Sequence, residues 1–307
     1  MDVLSDVLTV MRTGQARSAQ VTWHAPWAQE FAPVPGAAGF HVVLSGPCWL
    51  MQAGADPLHL EVGDVVFRPH GQAHTLADSP STRPTSPACR ADQPGIPRFA
   101  ADTVGDTGTA ASVTLCGAYE LDPGVVHPLL RDLPELVHLP AHLGQHPQLR
   151  ATVDLLAGEL LRPRLGTDAL IPALLDTLLL HILRSCWSDP PHTRGWAAAL
   201  DDPATSTALR AIHNDPARPW TVATLAAEAR LSRAPFAARF TNLVGQPPIA
   251  YLTWWRLTSA ARRLRATDEP MHTIASSVGY TSEFAFANAF KRRYGTAPGK
   301  YRQQQSL

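Results

Sequence analysis

One stretch near the C-terminal end of the chain repeats itself, and this repeat restricts the possible folds more than any other feature of the sequence. The first copy starts at Thr224 and reads T-L-A-A-E-A-R-L-S-R-A-P-F-A-A-R-F-T-N-L-V-G-Q-P-P. The second copy starts at Thr273 and reads T-I-A-S-S-V-G-Y-T-S-E-F-A-F-A-N-A-F-K-R-R-Y-G-T-A-P. In each copy, small residues, a tight turn and a hydroxyl residue precede a longer run with a helical period. The repeat predicts two helix-turn-helix units, in which small residues let the second helix cross close to the first.

The two predicted turns differ in their central residue. Gly279 suits a backbone position with positive φ, whereas its counterpart Arg230 is less favourable there because it carries a Cβ atom. Ser232 and Thr281 come just before the second helices and are the predicted N-caps. The first turn is therefore the weaker prediction of the two.

The helical period separates a buried face from an exposed face in each second helix. The apolar residues that recur every three or four positions are the predicted core: Phe236, Phe240, Leu243, Phe286, Phe290 and Tyr294. The opposite faces are available to the edges of DNA bases. The predicted DNA-binding residues are Arg233, Ala234, Ala237, Ala238, Thr241, Glu283, Phe284, Asn288 and Lys291.

The C-terminal region divides into three helical parts. The first helix-turn-helix unit covers 221–244, a connecting helix covers 248–266, and the second unit covers 271–294. A continuous connecting helix would hold the two units rigidly. Two helices that enter successive turns of the major groove on one face of a duplex must lie about 34 Å apart.

The residues from Ile274 to Arg302 combine a turn glycine, an F-x-x-x-F-K-R-x-x-G run and a P-x-x-Y-R ending. This combination resembles the signature of the AraC/XylS family of bacterial transcription regulators. The resemblance implies sequence-specific binding to double-stranded DNA, RNA polymerase as a partner, and activation more often than repression. The family often carries arginine where this chain has Ala238 and Asn288, so the operator is expected to differ from that of arginine-bearing relatives.

Charge is distributed unevenly along a chain whose formal net charge is zero. From 219 to 307 there are 12 basic and 4 acidic residues, which leaves 14 basic and 22 acidic residues in the other 218. A basic region suits a partner rich in phosphate, and an acidic region does not. The predicted organisation is a DNA-binding domain at 202–307 and a separate domain at 1–187, joined by a linker at 188–201.

Short strands separated by glycine and proline turns are predicted between Ala19 and Leu121, which favours a barrel or sandwich. The segment from Gly63 to His74 fits G-x5-P-x-G-x2-H and resembles the second conserved motif of the cupin superfamily. The motif that supplies further metal ligands in metal-binding cupins is not recognisable, because His41 stands alone in that region. The segment 79–108 is predicted to be a mobile loop or insertion. With the strand after it, this arrangement resembles the cupin-type sensor domain of one branch of the AraC family.

Four side chains are candidates for an effector or redox site in this domain: His41, His74, Cys89 and Cys116. Imidazole and thiolate groups suit zinc or copper, whereas Cys89 and Cys116 suit a reversible thiol pair. The same side chains also suit an organic ligand, or a purely structural role with a hydrogen-bonded histidine and a small buried cysteine. The metal stays unknown and no cofactor is expected. Cys48 and Cys186 are predicted to be core residues.

A helical pattern occupies about 145–187, and its second half is apolar over too wide an arc for a surface helix. Burial against the barrel would explain this, and burial in a homodimer is preferred because a dimer also presents paired DNA-binding domains. No signal peptide and no run of about 18 apolar residues is recognised. A cytoplasmic protein without a membrane partner is therefore expected.

These patterns predict an α+β multidomain chain. Its N-terminal domain is a cupin-like β-barrel with flanking helices, and its C-terminal domain is all-α with two helix-turn-helix units. The predicted function is a sequence-specific DNA-binding transcription regulator of the AraC/XylS type, controlled by an effector, metal or redox signal at the cupin-like domain. The alternative is a cupin-type metal-dependent enzyme with a helical appendage. That alternative needs a complete metal triad and leaves the basic repeat unexplained, so no enzymatic activity is expected.

Overall fold

The computed structural model describes residues 2–11, 16–89, 98–105, 110–120, 128–141, 146–186 and 195–305. Contacts along the chain divide it into two compact units. The sheet unit comprises Gly14–Pro123 and Leu133–Pro190, and the helical unit comprises Met1–Thr13, Gly124–Asp132 and Pro191–Leu307. The N-terminal segment thus belongs to the helical unit, whereas the predicted boundary at 187 assigns it to the barrel domain.

Among the described residues, ten strands form two sheets in the sheet unit. They are β1 (Arg17–His24), β2 (Ala28–Phe31), β3 (Ala37–Ser45), β4 (Cys48–Met51), β5 (Leu58–Leu60), β6 (Val65–Arg68), β7 (His74–Ala77), β8 (Phe99–Val104), β9 (Ala110–Glu120) and β10 (Val137–Leu139). One sheet has the order β10-β6-β3-β9-β1-β8, and the other has the order β2-β7-β4-β5.

Twelve helices are present in the described part of the chain. They are α1 (Val3–Met11), α2 (Pro128–Arg131), α3 (Pro147–Leu161), α4 (Thr167–Cys186), α5 (Gly195–Asp201), α6 (Pro203–Asn214), α7 (Val222–Glu228), α8 (Arg233–Val244), α9 (Pro248–Ala266), α10 (Met271–Ser277), α11 (Glu283–Tyr294) and α12 (Pro298–Gln305). Of these, α3 and α4 belong to the sheet unit, and the other ten belong to the helical unit.

Burial along the strands identifies the centre of the sheet unit. In β4 every second side chain is buried, as expected for a strand with one face on the core. All four side chains of β6 are buried, and the last of them is the charged Arg68. The core cluster includes Trp23, Val43, Cys48, Leu50 and Leu76, so Cys48 is a core residue as predicted.

The predicted loop at 79–108 contains a strand, so that prediction is wrong for part of the segment. Strand β8 pairs in parallel with β1, with Phe99 opposite Ser18. None of its side chains is fully buried, so no apolar alternation marked it in the sequence. Pairing with β1 satisfies the backbone groups on one side of this edge strand.

By length and composition alone, helix α4 could cross a membrane. No other helix in the described ranges meets this criterion. Eight of its side chains are buried, and it packs against α3. Tyr119 of β9 donates its hydroxyl hydrogen to the carbonyl oxygen of Leu175 at 2.6 Å. Packing inside the sheet unit therefore accounts for much of the wide apolar arc.

Helix α5 lies inside the segment that was predicted to be a linker. Its Trp196, Ala198 and Ala199 are buried, so the prediction is wrong for 195–201, while 188–194 lies outside the described residues. The next helix, α6, begins after Asp202, whose carboxylate accepts the backbone N–H of Thr205 at 2.8 Å. This N-cap sets the start of α6 close to the predicted start of the DNA-binding domain.

The two helix-turn-helix units end their first helices with the same backbone hydrogen bonds. Leu231 N–H donates to Ala226 O, and Tyr280 N–H donates to Ala275 O, both at 2.9 Å. These are the long bonds of a Schellman motif, in which the preceding residue takes positive φ. That residue is Arg230 with φ 53° in one unit and a glycine with φ 83° in the other. The arginine carries a steric penalty that the glycine avoids, as the sequence comparison predicted.

Two details of the second helices correct the sequence analysis. Helix α11 begins after Ser282, whose Oγ accepts the Ala285 N–H at 3.4 Å, so the predicted N-cap Thr281 is wrong by one residue. In α8 the buried face ends at Val244, whereas Leu243 is only partly buried. Ser232 occupies the N-cap position of α8 without a side-chain hydrogen bond.

Candidate functional site

A chain of hydrogen bonds runs through the interior of the sheet unit. His41 on β3 has its Nδ1 3.1 Å from the sulfur of Cys116 on β9 and its Nε2 2.6 Å from Nε2 of His74 on β7. The Nδ1 of His74 lies 3.2 Å from the carbonyl oxygen of Gln72. Because β3 and β7 belong to different sheets, the two imidazoles link the sheets through a polar contact.

The partners of each imidazole determine which nitrogen carries its hydrogen. The carbonyl oxygen of Gln72 only accepts, so His74 donates from Nδ1 and accepts at Nε2. His41 then donates from Nε2, which leaves its Nδ1 to accept the thiol hydrogen of Cys116. Neutral imidazoles and a neutral thiol therefore satisfy every contact in this part of the chain.

Burial favours the same neutral state. It lowers the pKa of His74 to about 3 and lowers the pKa of His41 well below its usual value. It also raises the pKa of the Cys116 thiol to about 12. Thr114 extends the chain, since its Oγ1 lies 3.3 Å from the sulfur and accepts the indole N–H of Trp23 at 2.8 Å. A fully satisfied neutral network of this kind rigidifies a core.

These groups form one wall of a cavity of about 140 Å³. Phe31 stacks on His74 with ring centroids 4.8 Å apart and 7° between the ring planes. Most of the remaining wall consists of small apolar residues, including Ala19, Ala32, Val34, Ala37 and Ala118. All four side chains predicted for an effector or redox site line this cavity, namely His41, His74, Cys89 and Cys116.

Cys89 is held by backbone hydrogen bonds alongside β2. Its N–H donates to Glu30 O at 2.7 Å, and its carbonyl oxygen accepts the Ala32 N–H at 2.9 Å. Burial raises the pKa of its thiol, as it does for Cys116. Thiols with raised pKa values contain little thiolate and react slowly with oxidants. The predicted redox pairing of these two cysteines stays a prediction, and the ionisation of neither thiol favours it.

The metal alternative needs ligand atoms that converge on one point. In the ranges that the structure describes, no group of three or more histidine, cysteine, aspartate or glutamate side chains could hold a metal ion. Both ring nitrogens of His41 and of His74 are engaged in protein hydrogen bonds. A metal would have to replace these bonds, so the observed arrangement does not support the metal alternative.

The lowered pKa of His74 predicts acid sensitivity of the sheet unit. Because the folded pKa lies near 3 and the ordinary value is 6.5, the unfolded chain binds more protons between these values. The stability contributed by neutral His74 is complete above about pH 6.5 and is lost as the pH falls toward 3, by about 1.4 kcal/mol per pH unit. We expect His74→Gln to reduce the slope of unfolding free energy against pH by this amount.

Denaturant titrations over a series of pH values, followed by near-ultraviolet circular dichroism, measure that slope. The control is His59→Gln, because His59 is a half-exposed histidine in the same unit whose ring contacts Glu61. Equal slopes for His74→Gln and the unmodified protein would contradict the prediction.

Three residues of this site were not predicted from the sequence: Phe31, Arg68 and Thr114. Phe31 and Thr114 carry no signal, because their contacts join strands that are distant in sequence. A weak signal existed for Arg68, which is a cation at the end of the apolar run Val65–Phe67 and comes directly before Pro69 of the cupin-like motif.

The residues predicted to bind DNA lie on the outer faces of α8 and α11. Seven of them are exposed: Arg233, Ala234, Ala238, Glu283, Phe284, Asn288 and Lys291. Ala237 and Thr241 are partly buried, and the Thr241 hydroxyl donates to Ala237 O at 2.7 Å. Phe284 leaves 78% of its surface exposed, which is unusual for so large an apolar side chain. Both faces are thus available to a partner.

Arg239 lies next to this face but contacts the protein. Its guanidinium pairs with the carboxylate of Asp202, the residue that caps α6. The pair joins α8 to α6, so Arg239 positions the first helix-turn-helix unit.

Comparisons with known proteins match both the sheet-containing and the helical parts of the chain. The family profile described as Cupin matches residues 2–188, and the profile described as Helix-turn-helix domain matches residues 225–304. A "Putative AraC-like transcription regulator" of Streptomyces lividans is 36% identical over 100% of this chain and 100% of that protein. The chain belongs to the AraC-like transcription regulators. The predicted family, the fold class and the general function are therefore confirmed.

Two other known proteins are also similar to this AraC-like regulator. The "RCS-specific HTH-type transcriptional activator RclR" of Escherichia coli (strain K12) is 30% identical over 68% of this chain and 74% of that protein. The solved structure of the DNA-binding domain of AdpA in complex with a target DNA is 32% identical, with a TM-score of 0.32, and covers 34% of this chain and 92% of that chain. The two family profiles assign a cupin part and a helix-turn-helix part to this AraC-like regulator.

Proposed function

We propose that this AraC-like regulator reads its operator with α8 and α11 and receives its signal in the cavity of the sheet unit. The observation that carries the second half of the proposal is the neutral hydrogen-bond chain through His41, His74 and Cys116, which lines a cavity and joins two sheets. A reaction at the thiol of Cys116 would break a bond in this chain, and a molecule that enters the cavity would lie against it.

The remaining parts of the proposal concern the location, the assembly and the partners of the protein. A cytoplasmic homodimer that activates transcription with RNA polymerase is consistent with the family and with the activator named among the relatives. Three leucines on α3 and α4 stay exposed and suit a subunit contact: Leu155, Leu161 and Leu170. Sedimentation of the purified protein tests the dimer, and a monomer at all concentrations would remove it from the proposal.

Asn288 and Lys291 lie one turn apart on α11 and are expected to act differently on DNA. We expect Asn288→Ala to weaken the free energy of operator binding by about 1 to 3 kcal/mol and to relax the base preference at one base pair. The reason is that an amide can contact a base edge in a bidentate manner. We expect Lys291→Ala to weaken binding to all sequences alike and to reduce the dependence of affinity on salt. Binding to single-base operator variants over a range of salt concentrations measures both effects.

The two variants serve as controls for each other, since both residues are exposed on the same helix. A uniform loss for Asn288→Ala would reassign it to positioning the helix. An unchanged salt dependence for Lys291→Ala would remove it from the phosphate contacts.

The decisive experiment for the signal is DNA binding by the purified protein under reducing conditions, after mild oxidation, and with candidate small molecules. A response to oxidant that Cys116→Ser abolishes would support thiol chemistry, and a response only to small molecules would support a bound effector. Operator binding that no agent alters would contradict control from the cavity.

The absence of enzymatic activity is also part of the proposal. It is supported by the regulators among the relatives. Metal-dependent turnover of a small molecule that disappears in His74→Ala, with DNA binding unchanged, would favour the enzyme alternative.

A further inference from the structure

We propose that the cavity of the sheet unit binds a small monocarboxylate with a compact apolar body, and that the guanidinium of Arg68 pairs with its carboxylate. This inference rests on the proposed role of the cavity and specifies the chemical class of its ligand. Three observations on the described residues carry it: a buried cation that has no ion-pair partner among them, a cavity wall to which they contribute no acidic side chain, and the size and apolar character of the cavity.

The buried cation is Arg68, which is only 1% exposed. Its Nη1 donates to Gln52 Oε1 at 2.8 Å, and its Nη2 makes a long contact of 3.4 Å to Ala73 O. Among the described residues, no carboxylate lies within ion-pair distance of this guanidinium, and Glu135 acts on it only from farther away. A charge removed from water without a close counter-charge is costly. A ligand anion would supply the missing counter-charge.

The part of this guanidinium that lacks a close protein partner has the geometry that a carboxylate needs. Its Nε has no hydrogen-bond partner, and the neighbouring Nη2 has only the long contact. The Nε–H and one Nη2–H point in the same direction and form a fork that fits the two oxygens of a carboxylate. The long contact leads to Ala73, whose neighbours Gln72 and His74 line the cavity. Arg68 is itself among the residues that line the cavity.

The charged residues of the cavity wall favour an anionic ligand. Arg17 and Arg68 are its charged members, and no aspartate or glutamate is among the described residues that line it. The imidazoles of His41 and His74 are neutral, because burial lowers both pKa values. The side-chain oxygen of Gln72 is also buried without a partner, and a rotation of the amide would turn its N–H toward a carboxylate.

The remaining wall limits the body of the ligand. The volume of about 140 Å³ is close to that of an engineered apolar cavity, of about 150 Å³, that binds benzene. Phe31 and several alanines supply apolar contacts around this space. A body of about six carbon atoms fits this volume.

The test measures binding of cyclohexanecarboxylate and of its neutral analogue cyclohexanecarboxamide to the purified full-length chain by calorimetry. We expect the carboxylate to bind at least about tenfold more tightly than the amide, a difference of about 1.4 kcal/mol. Acetate, which has the charge without the apolar body, should bind far more weakly than the cyclohexane acid.

Variants of Arg68 test whether its guanidinium causes the preference for the carboxylate over the amide. Arg68→Met should abolish the preference for the carboxylate while the amide still binds, and Arg68→Lys should keep only part of it because lysine lacks the fork. The control is Arg150→Met, because Arg150 is an exposed arginine on α3 that pairs with Asp154 outside the cavity. If Arg68→Met fails to fold, the preference of the unmodified chain for the acid over the amide and over acetate still tests the proposal.

Equal affinities for acid and amide, or no saturable binding of either, would overturn the inference. A preference that survives in Arg68→Met would also overturn it. The proposed function has a separate readout, which is operator binding. If operator binding responds to oxidant while the carboxylate does not bind, the inference fails and the control from the cavity stands. If the carboxylate binds through Arg68 without altering operator binding, the site stands and the control fails.

Discussion

Replacement of Phe290 by alanine is expected to destabilise the helical unit by about 3 to 5 kcal/mol, because it leaves a cavity in the core of the second helix-turn-helix. Phe290 is fully buried, and its ring lies 4.4 Å from the ring of Tyr294 and 5.3 Å from that of Tyr301. The same core cluster includes residues of α9, α10 and α11. Loss of this ring therefore loosens three helices together. Urea denaturation followed by tryptophan fluorescence measures the change, since Trp254 and Trp255 lie on α9.

The matched control is Phe284→Ala on the same helix. Phe284 is exposed, so its replacement is expected to change stability by no more than about 0.5 kcal/mol. It should nevertheless weaken operator binding if the ring contacts a thymine methyl group, as apolar side chains do in the major groove. Similar losses of stability for both variants would contradict the assignment of inner and outer faces on α11.

The faces of α11 were predictable because a helix converts sequence spacing directly into geometry. Residues three or four positions apart share a face, so Phe286 and Phe290 were placed in the core from spacing alone. Both are fully buried. The cap of α11 was missed by one residue, because Thr281 and Ser282 are both able to cap and only the backbone conformation selects Ser282.

The site in the sheet unit could be predicted only as a set of candidates. His41 and His74 are 33 positions apart and lie on strands of different sheets. Spacing within a strand places a side chain on one face, but it does not say which strand of the other sheet lies opposite. The pairing of the imidazoles, and the burial of Arg68 beside them, therefore required the three-dimensional structure.

The same limit explains the position of the N-terminal helix. The apolar residues of α1 recur with a helical period, and Val3, Val7 and Leu8 are buried. Nothing in that period specifies which surface covers them. The structure shows that α1 packs against α6 and α9 of the helical unit. The contact is polar as well as apolar, since Asp6 is buried with the apolar residues.

His213 of α6 is the centre of this contact. Its ring stacks on Trp255 with centroids 3.7 Å apart. Burial lowers its pKa despite the nearby carboxylate of Asp6, so the ring is neutral at physiological pH. The neutral ring donates from Nδ1 to Asp6 at 3.3 Å and accepts the hydroxyl hydrogen of Tyr251 at Nε2, at 2.7 Å. One imidazole thus joins α1, α6 and α9.

His213→Ala is therefore expected to destabilise the helical unit by about 3 kcal/mol, since the carboxylate of Asp6 stays buried without this donor and the stack with Trp255 is lost. Denaturant titration monitored by tryptophan fluorescence measures the loss.

Deletion of residues 1–11 should destabilise the same unit, because it uncovers the surface that Val3, Val7 and Leu8 bury. The control is His272→Ala, because His272 is an exposed histidine of the same unit that contacts Glu283 at 3.9 Å. If His213→Ala proves no more destabilising than His272→Ala, α1 does not stabilise the DNA-binding helices through this contact. If it is more destabilising and the deletion is as well, then residues at the start of the cupin-like sequence support the fold of the part that binds DNA.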